Sequence, residues 1–160
     1  MALPTFGMAQ SFWDYPRSLW IVRGREEVKA TYWAEGQFQL DGYSQICHIM
    51  RDVQANELQQ MDPVLLDILR GLQGWLVASG VNRPINLHSG YRSAKTNAKT
   101  EGASKNSKHK SGRAADLSIK SIPPDYLRQV ARYLNGGGVG FYPDRNFIHV
   151  DTGRVREWRG

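Results

Sequence analysis

The sequence predicts an α+β domain, a mainly antiparallel sheet flanked by helices. Three observations point there. Runs of β-branched and aromatic residues punctuated by Gly, Pro and Asp recur towards both ends of the chain. Three other segments carry apolar residues at helical spacing. Strands and helices do not alternate as regular βαβ units, which argues against a parallel sheet. The 160 residues suit one domain and are short for two. At that size folding buries roughly 70% of the unfolded surface, so no disulfide is needed.

Residues 1–17, with Pro4, Gly7 and Pro16, read as an irregular arm before a single domain over 18–160. Residues 18–23 and 28–34 form a hairpin around Gly24, and Gly36 introduces a short third strand over 37–40. After the Asp41-Gly42 turn, Tyr43, Ile46, Ile49, Met50 and Val53 recur at helical spacing. Asp62-Pro63 is a helix start: the Asp side chain can accept a free backbone N–H, and Pro lacks one that would go unused. Leu65, Leu69, Leu72 and Leu76 give that helix one apolar stripe, backed by Leu66, Ile68 and Trp75, up to Ser79-Gly80. Both helices read as core. A strand over 85–89 leads into the Gly90-Tyr91-Arg92 turn. Another over 114–120 puts Leu117 and Ile119 on one face, Asp116 and Ser118 on the other. Ser121, Pro123 and Pro124 open a third helix, whose Leu127, Val130, Ala131 and Leu134 face inward until three glycines end it at 136–138. Residues 139–142 and 147–151 then form a hairpin across Pro143-Asp144-Arg145.

The chain is basic, with 21 Lys+Arg against 15 Asp+Glu and a formal charge of +6. That suits an anionic partner, either nucleic acid or a polymer such as the bacterial cell wall. The basic residues are scattered and no helix-turn-helix or finger spacing occurs, so nucleic acid is the weaker choice. No apolar run approaches ~18 residues, so no membrane span is expected. The start, Met1-Ala2-Leu3-Pro4, has no basic segment followed by an apolar one, so no export signal is expected in this stretch. A cytoplasmic protein and an exported one whose signal is missing from this sequence both stay open. Cys47, the single cysteine, reads as a small core residue. Its neighbour His48 cannot activate it, because adjacent residues on a helix do not face each other.

The chemistry concentrates between His88 and Asp116, with an echo at His149. His109, Asp116 and His149 are the ligand types a catalytic zinc takes when one position stays open for water. From Arg92 to Arg113 no apolar residue exceeds Ala, so this polar stretch cannot be core and reads as an active-site loop. Residues i and i+2 of a strand share a face, so His149 and Asp151 point one way while Ile148 and Val150 point into the core. The three ligands converge if the two strands are neighbours. Each also has a bland alternative: a solvated loop histidine at 109, a paired carboxylate at 116, a hydrogen-bonded sheet histidine at 149.

At these residues the chain resembles a known family. Ser107-x-His109-x-x-Gly112-x-Ala114-x-Asp116 is similar to the signature of the zinc D-Ala-D-Ala peptidases, whose fold is shared with the hedgehog signalling domain. Ser89-Gly90-Tyr91-Arg92-Ser93 resembles the turn that precedes it there. Nearer still are the MepK-like murein endopeptidases, on Gly137-Gly138-Val139-Gly140-Phe141-Tyr142-Pro143, the run from Phe147 to Arg156, and the segment 40–76. The likeness covers roughly residues 18–158. It implies one zinc per chain on His109, Asp116 and His149, with a water whose pKa falls to about 7. It implies Arg92 as the oxyanion donor and Ser107 as a substrate-holding residue. It implies peptidoglycan cross-link peptides as substrate, a monomer, and action in the periplasm or cell envelope, or a cytoplasmic stay before release for a phage-type enzyme.

One position departs from the pattern. The D-Ala-D-Ala peptidases carry a Glu or Asp three residues before the last zinc histidine, as general base; here Asn146 stands there and cannot take a proton. Asp151 is the first substitute and Asp144 the second, with an orienting role for Asp151 as the alternative. Three rivals to the endopeptidase reading stay open: a D-amino-acid carboxypeptidase or dipeptidase, a silent zinc-bearing hedgehog-like binding module, and nucleic-acid binding by the basic surface.

Overall fold

The computed structural model describes residues 11–160, so the first ten residues of the expected arm lie outside the described residues. Residues 11–16 form a turn that docks on the second helix: the Arg70 guanidinium lies 3.6 Å over the Phe12 ring and donates to the Phe12 carbonyl at 2.6 Å. Strands β1 (Arg17–Arg23) and β2 (Glu26–Ala34) form the expected hairpin, and β3 (Gln37–Phe38) adds a short edge. Helix α1 (Leu40–Ile49) starts earlier and stops earlier than its apolar spacing suggests; Val53 lies beyond it, 46% exposed. Helix α2 (Pro63–Ala78) opens as expected, with Asp62 accepting the Val64 N–H at 2.9 Å.

β4 (Ile85–Ser89), β5 (Ala114–Ser118), helix α4 (Pro124–Leu134), β6 (Gly138–Tyr142) and β7 (Phe147–Asp151) follow the expected order. Two elements were not anticipated. Helix α3 (Ala94–Lys99) lies inside the polar stretch, and β8 (Arg156–Arg159) closes the chain. Both are short and nearly free of aliphatic residues, so neither carries a hydrophobic period.

All eight strands join one sheet in the order β3-β2-β1-β4-β5-β7-β6-β8. Only β1 with β4 and β6 with β8 pair in parallel; the other five pairings are antiparallel, as expected. Leu19, Ile21, Ile85, Leu87, Leu117, Ile148 and Val150 send side chains from the sheet onto Ile46, Ile49, Leu65, Leu69, Leu72 and Leu127. Burial of such side chains stabilises the fold by roughly 1.5–3 kcal/mol each. Cys47 belongs to this core, its sulfur accepting the Met61 N–H at 3.4 Å and burial pushing its thiol pKa up. With the core on one sheet face, residues of opposite parity in β4, β5 and β7 are left on the other, where the candidate site lies.

Candidate active site

Two of the three candidate ligands are cross-strand neighbours. β5 and β7 pair so that Asp116 faces His149 directly, and Ser89 of β4 faces Asp116 on its other side. The adjacency that the sequence left conditional is therefore present. Asp116 Oδ1 lies 2.8 Å from His149 Nδ1.

His109 reaches the same point from a 3-10 turn over Lys108–Ser111. Ser107 caps that turn by accepting the His109 N–H at 3.3 Å, and Gly112 ends it in the left-handed conformation with φ +67°. The turn is fastened to the Gly90-Tyr91-Arg92 segment twice. His109 Nδ1 donates to the Gly90 carbonyl at 2.6 Å, and the His109 carbonyl accepts the Arg92 N–H at 3.1 Å. Gly90 is required there because a Cβ would run into the Met50 carbonyl at the end of α1. His109 Nε2 then lies 3.2 Å from both Asp116 Oδ1 and His149 Nδ1.

The protonation of both rings follows from their outer contacts. His109 Nδ1 faces a carbonyl, which can only accept, so that nitrogen carries the proton. His149 Nε2 faces the Asp151 carboxylate at 2.9 Å and likewise carries a proton. In the neutral rings, His109 Nε2 and His149 Nδ1 therefore present lone pairs, and with Asp116 three electron-pair donors converge 2.8–3.2 Å apart. Such a cluster is repulsive unless a cation or proton sits within it. Burial opposes a charge on His149, but hydrogen bonds with Asp116 and Asp151 outweigh burial and raise its pKa. Burial likewise opposes ionisation of Asp116, yet the neighbouring histidines hold its pKa well below the carboxylate range. These residues form a group that could hold a metal ion. A tetrahedral ion with bonds of ~2.0–2.1 Å keeps its ligands about 3.3 Å apart, close to the separations found here.

Asp151 is buried on the opposite edge of the His149 ring from the cluster. Besides His149 it accepts from the Gly153 and Gly138 amides at 2.8 and 3.2 Å, and from two nitrogens of Arg156 at 2.9 and 2.7 Å. Burial opposes its charge, but these donors, led by His149 and Arg156, hold its pKa far below normal. Asp144 is exposed on the turn between β6 and β7 and does not line the cleft around the cluster. Asn146 is also exposed, in the left-handed conformation with φ 54°, and lines a different depression. Its side chain is not part of the cleft at all.

The cleft has a volume of about 600 Å³, with the cluster on its floor. Arg92 and Ser107 line it, joined by a 3.4 Å contact from Arg92 Nη2 to Ser107 Oγ. Among the described residues that contact is the one hydrogen bond of the Arg92 guanidinium, which leaves Nη donors for the cleft, while its Nε is buried without a partner. Burial lowers its pKa, while Asp116 acts to raise it.

The polar stretch does form one wall of the cleft, but part of it is buried, against expectation. Ser93, Thr96 and Asn97 are each no more than 6% exposed. Hydrogen bonds hold this buried segment in place. Asp52 accepts the Ser93 N–H at 2.9 Å, Ser93 Oγ caps α3 at Thr96, and Asn97 Nδ2 donates to the Ser104 carbonyl at 3.0 Å. Asp52 also accepts the Gln54 and Ala55 amides, and hydrogen bonds outweigh burial to bring its pKa down to about 2.

Sequence reasoning missed Asp52, which carries no local signal, and Arg156, which lay inside the matched run without a role. It also missed Trp158, tilted against His149 at 5.1 Å and packed over Gly140, where a Cβ would come within 2.7 Å of the indole. His88 opened the conspicuous stretch without an assignment. It lines the cleft, held 2.7 Å from Ser118 Oγ and stacked on Phe147.

Known proteins resemble this chain along most of its length. A family model described as peptidoglycan L,D-endopeptidase MepK matches residues 15–158. The peptidoglycan L,D-endopeptidase MepK of Escherichia coli K12 is 37% identical over 162 residues, covering 98% of this chain and 87% of that protein. The protein of that name from Shigella flexneri matches to the same extent. A probable peptidoglycan L,D-endopeptidase MepK of Haemophilus influenzae is 41% identical over 135 residues, 78% of this chain and 72% of that protein.

Proposed function

The chain belongs to the peptidoglycan L,D-endopeptidase MepK family, and from that premise we propose that it hydrolyses L,D amide bonds in peptidoglycan cross-links at a zinc ion held by His109, Asp116 and His149. The chain is a peptidase of the cell-wall polymer, and no helix among the described residues is long and apolar enough to cross a membrane. Its place of action is the cell envelope, where that polymer lies. The observation that carries zinc is the convergence of two imidazole lone pairs and one carboxylate, each ring held by a hydrogen bond on its other nitrogen. Zinc in that position supplies a Lewis acid that polarises a carbonyl and lowers the pKa of water to about 7.

The rest of the chemistry falls to the chain's own residues. Arg92 places an incompletely used guanidinium at the cleft, where it binds the scissile carbonyl oxygen as negative charge builds on it. Ser107 steadies that guanidinium and holds substrate beside it. Asp151 positions the His149 ring. Its oxygens are already engaged by His149, Arg156 and two backbone amides, which leaves it poorly placed to collect a proton from water. Of the two roles open to Asp151, its contacts support orientation. Arg156 keeps it ionised, and so keeps the His149 proton on the nitrogen that faces away from the cluster.

The test is digestion of purified cross-linked muropeptides, analysed by mass spectrometry with and without a chelator. The expected result is chelator-sensitive conversion of dimers to monomers, with zinc near one per chain by metal analysis. Release of only a terminal amino acid would instead establish a carboxypeptidase, and zinc without hydrolysis a binding module.

A further inference from the structure

A second depression adjoins the cleft. It has a volume of about 630 Å³, similar to that of the cleft, and lies beside Ser118, Asn86 and Val22. Those residues are successive cross-strand neighbours on β5, β4 and β1. Ser118 is two residues from Asp116 on β5, so both side chains share the sheet face opposite the core. A two-residue step is roughly 7 Å, within reach of a short peptide whose scissile bond sits at the cluster.

The two depressions meet at one line of side chains. His88 and Phe147 line the cleft; Ser118 and Asn146 line the depression. His88 spans the boundary, with Nε2 2.7 Å from Ser118 Oγ and its ring stacked on Phe147 at 5.6 Å. Asn86 Nδ2 donates to the same Ser118 oxygen at 3.4 Å, so the imidazole is tied into the floor while its Nδ1 edge stays available. Lys120 is the one charged side chain lining the depression, and it forms no salt bridge among the described residues.

A cross-linked substrate has a peptide arm on each side of the bond cut. We propose that this depression is a second peptide subsite: it seats one arm of the cross-link, with His88 hydrogen-bonding the arm's backbone at the threshold and Lys120 pairing with a free carboxylate on it. This rests on the endopeptidase reading above. What supports it is the His88–Ser118 contact that joins it to the cleft, the position of Ser118 two residues from Asp116 on the same strand, and a positive charge with no acidic lining residue to neutralise it.

Asn86→Trp and Lys120→Glu, both at exposed positions, test it on two substrates, a cross-linked muropeptide dimer and a chromogenic amide of a single stem peptide. Both variants should raise KM for the dimer about tenfold, with kcat and zinc content near wild type. The single-stem amide should be cleaved as before, and Lys120→Arg should behave as wild type. Equal effects on both substrates, or none on either, overturn the proposal. An NMR titration of the isotope-labelled chain with free stem peptide reads binding without turnover. Amide shifts at Asn86, Ser118 and Lys120 are expected. If these stay still while signals around Arg92 move, the subsite is wrong. If the wild-type chain cleaves neither substrate, the endopeptidase reading fails, and the titration still decides the subsite.

Discussion

The strand-borne and loop-borne halves of the site are held in different ways. Asp116 and His149 sit in central strands whose backbone is paired on both sides, with Ala115, Leu117, Ile148 and Val150 anchoring alternate positions in the core. His109 and Arg92 sit on a turn and a loop with no aliphatic anchor of their own. They are held by the Gly90 carbonyl, the Ser107 cap and the polar contacts through Asp52 and Ser93. Anchoring by packing spreads over many weak contacts, whereas anchoring by hydrogen bonds rests on a few, each costly to lose. The loop half should therefore fail at single polar residues, and the strand half only at the ligands or their direct supports.

The largest effect expected is common to both halves. His109→Ala and His149→Ala should each remove zinc and abolish hydrolysis, since either leaves two ligands of three; full zinc retention in both would sink the ligand assignment. Arg92→Ala comes next and separates chemistry from metal binding. It should lower kcat by about 10²–10³ with zinc content unchanged, as loss of an oxyanion donor does. Near wild-type turnover would remove Arg92 from that role.

Asp151→Asn probes the support of the strand half. An orienting residue predicts weaker zinc binding, about 10–100-fold, with kcat largely restored at saturating zinc. A loss of kcat by orders of magnitude at full zinc occupancy would make Asp151 the base after all.

The smallest effect concerns the support of the loop half. Asp52 has its carboxyl pKa lowered from 3.8 to about 2 in the folded chain, so its stabilising contribution is full above about pH 4 and is lost as pH falls through about 2. That shift corresponds to about 2 kcal/mol. Asp52→Asn should cost about that much in denaturant unfolding at pH 7, and the difference from wild type should shrink as the pH approaches 2. A pH-independent difference would mean that the charge is not what holds the loop.

Much of this was legible along the chain, because local rules govern it. Asp62-Pro63 begins α2 through capping chemistry confined to three residues, and the alternation around His149 sets its face through strand geometry alone. The chemical character of His109, Asp116 and His149 likewise belongs to the side chains themselves. Other features depend on partners far away in the chain. That β5 lies beside β7 is a matter of long-range pairing, and only that pairing brings Asp116 to His149. The proton on each ring is set by Gly90 and Asp151, so the nitrogens that face the cluster could not be known before the fold was. Asn146 shows the same limit from the other side. Its spacing from His149 put it in the position of a general base, but a left-handed turn carries it out of the cleft, and spacing along a chain fixes direction only while the backbone stays regular.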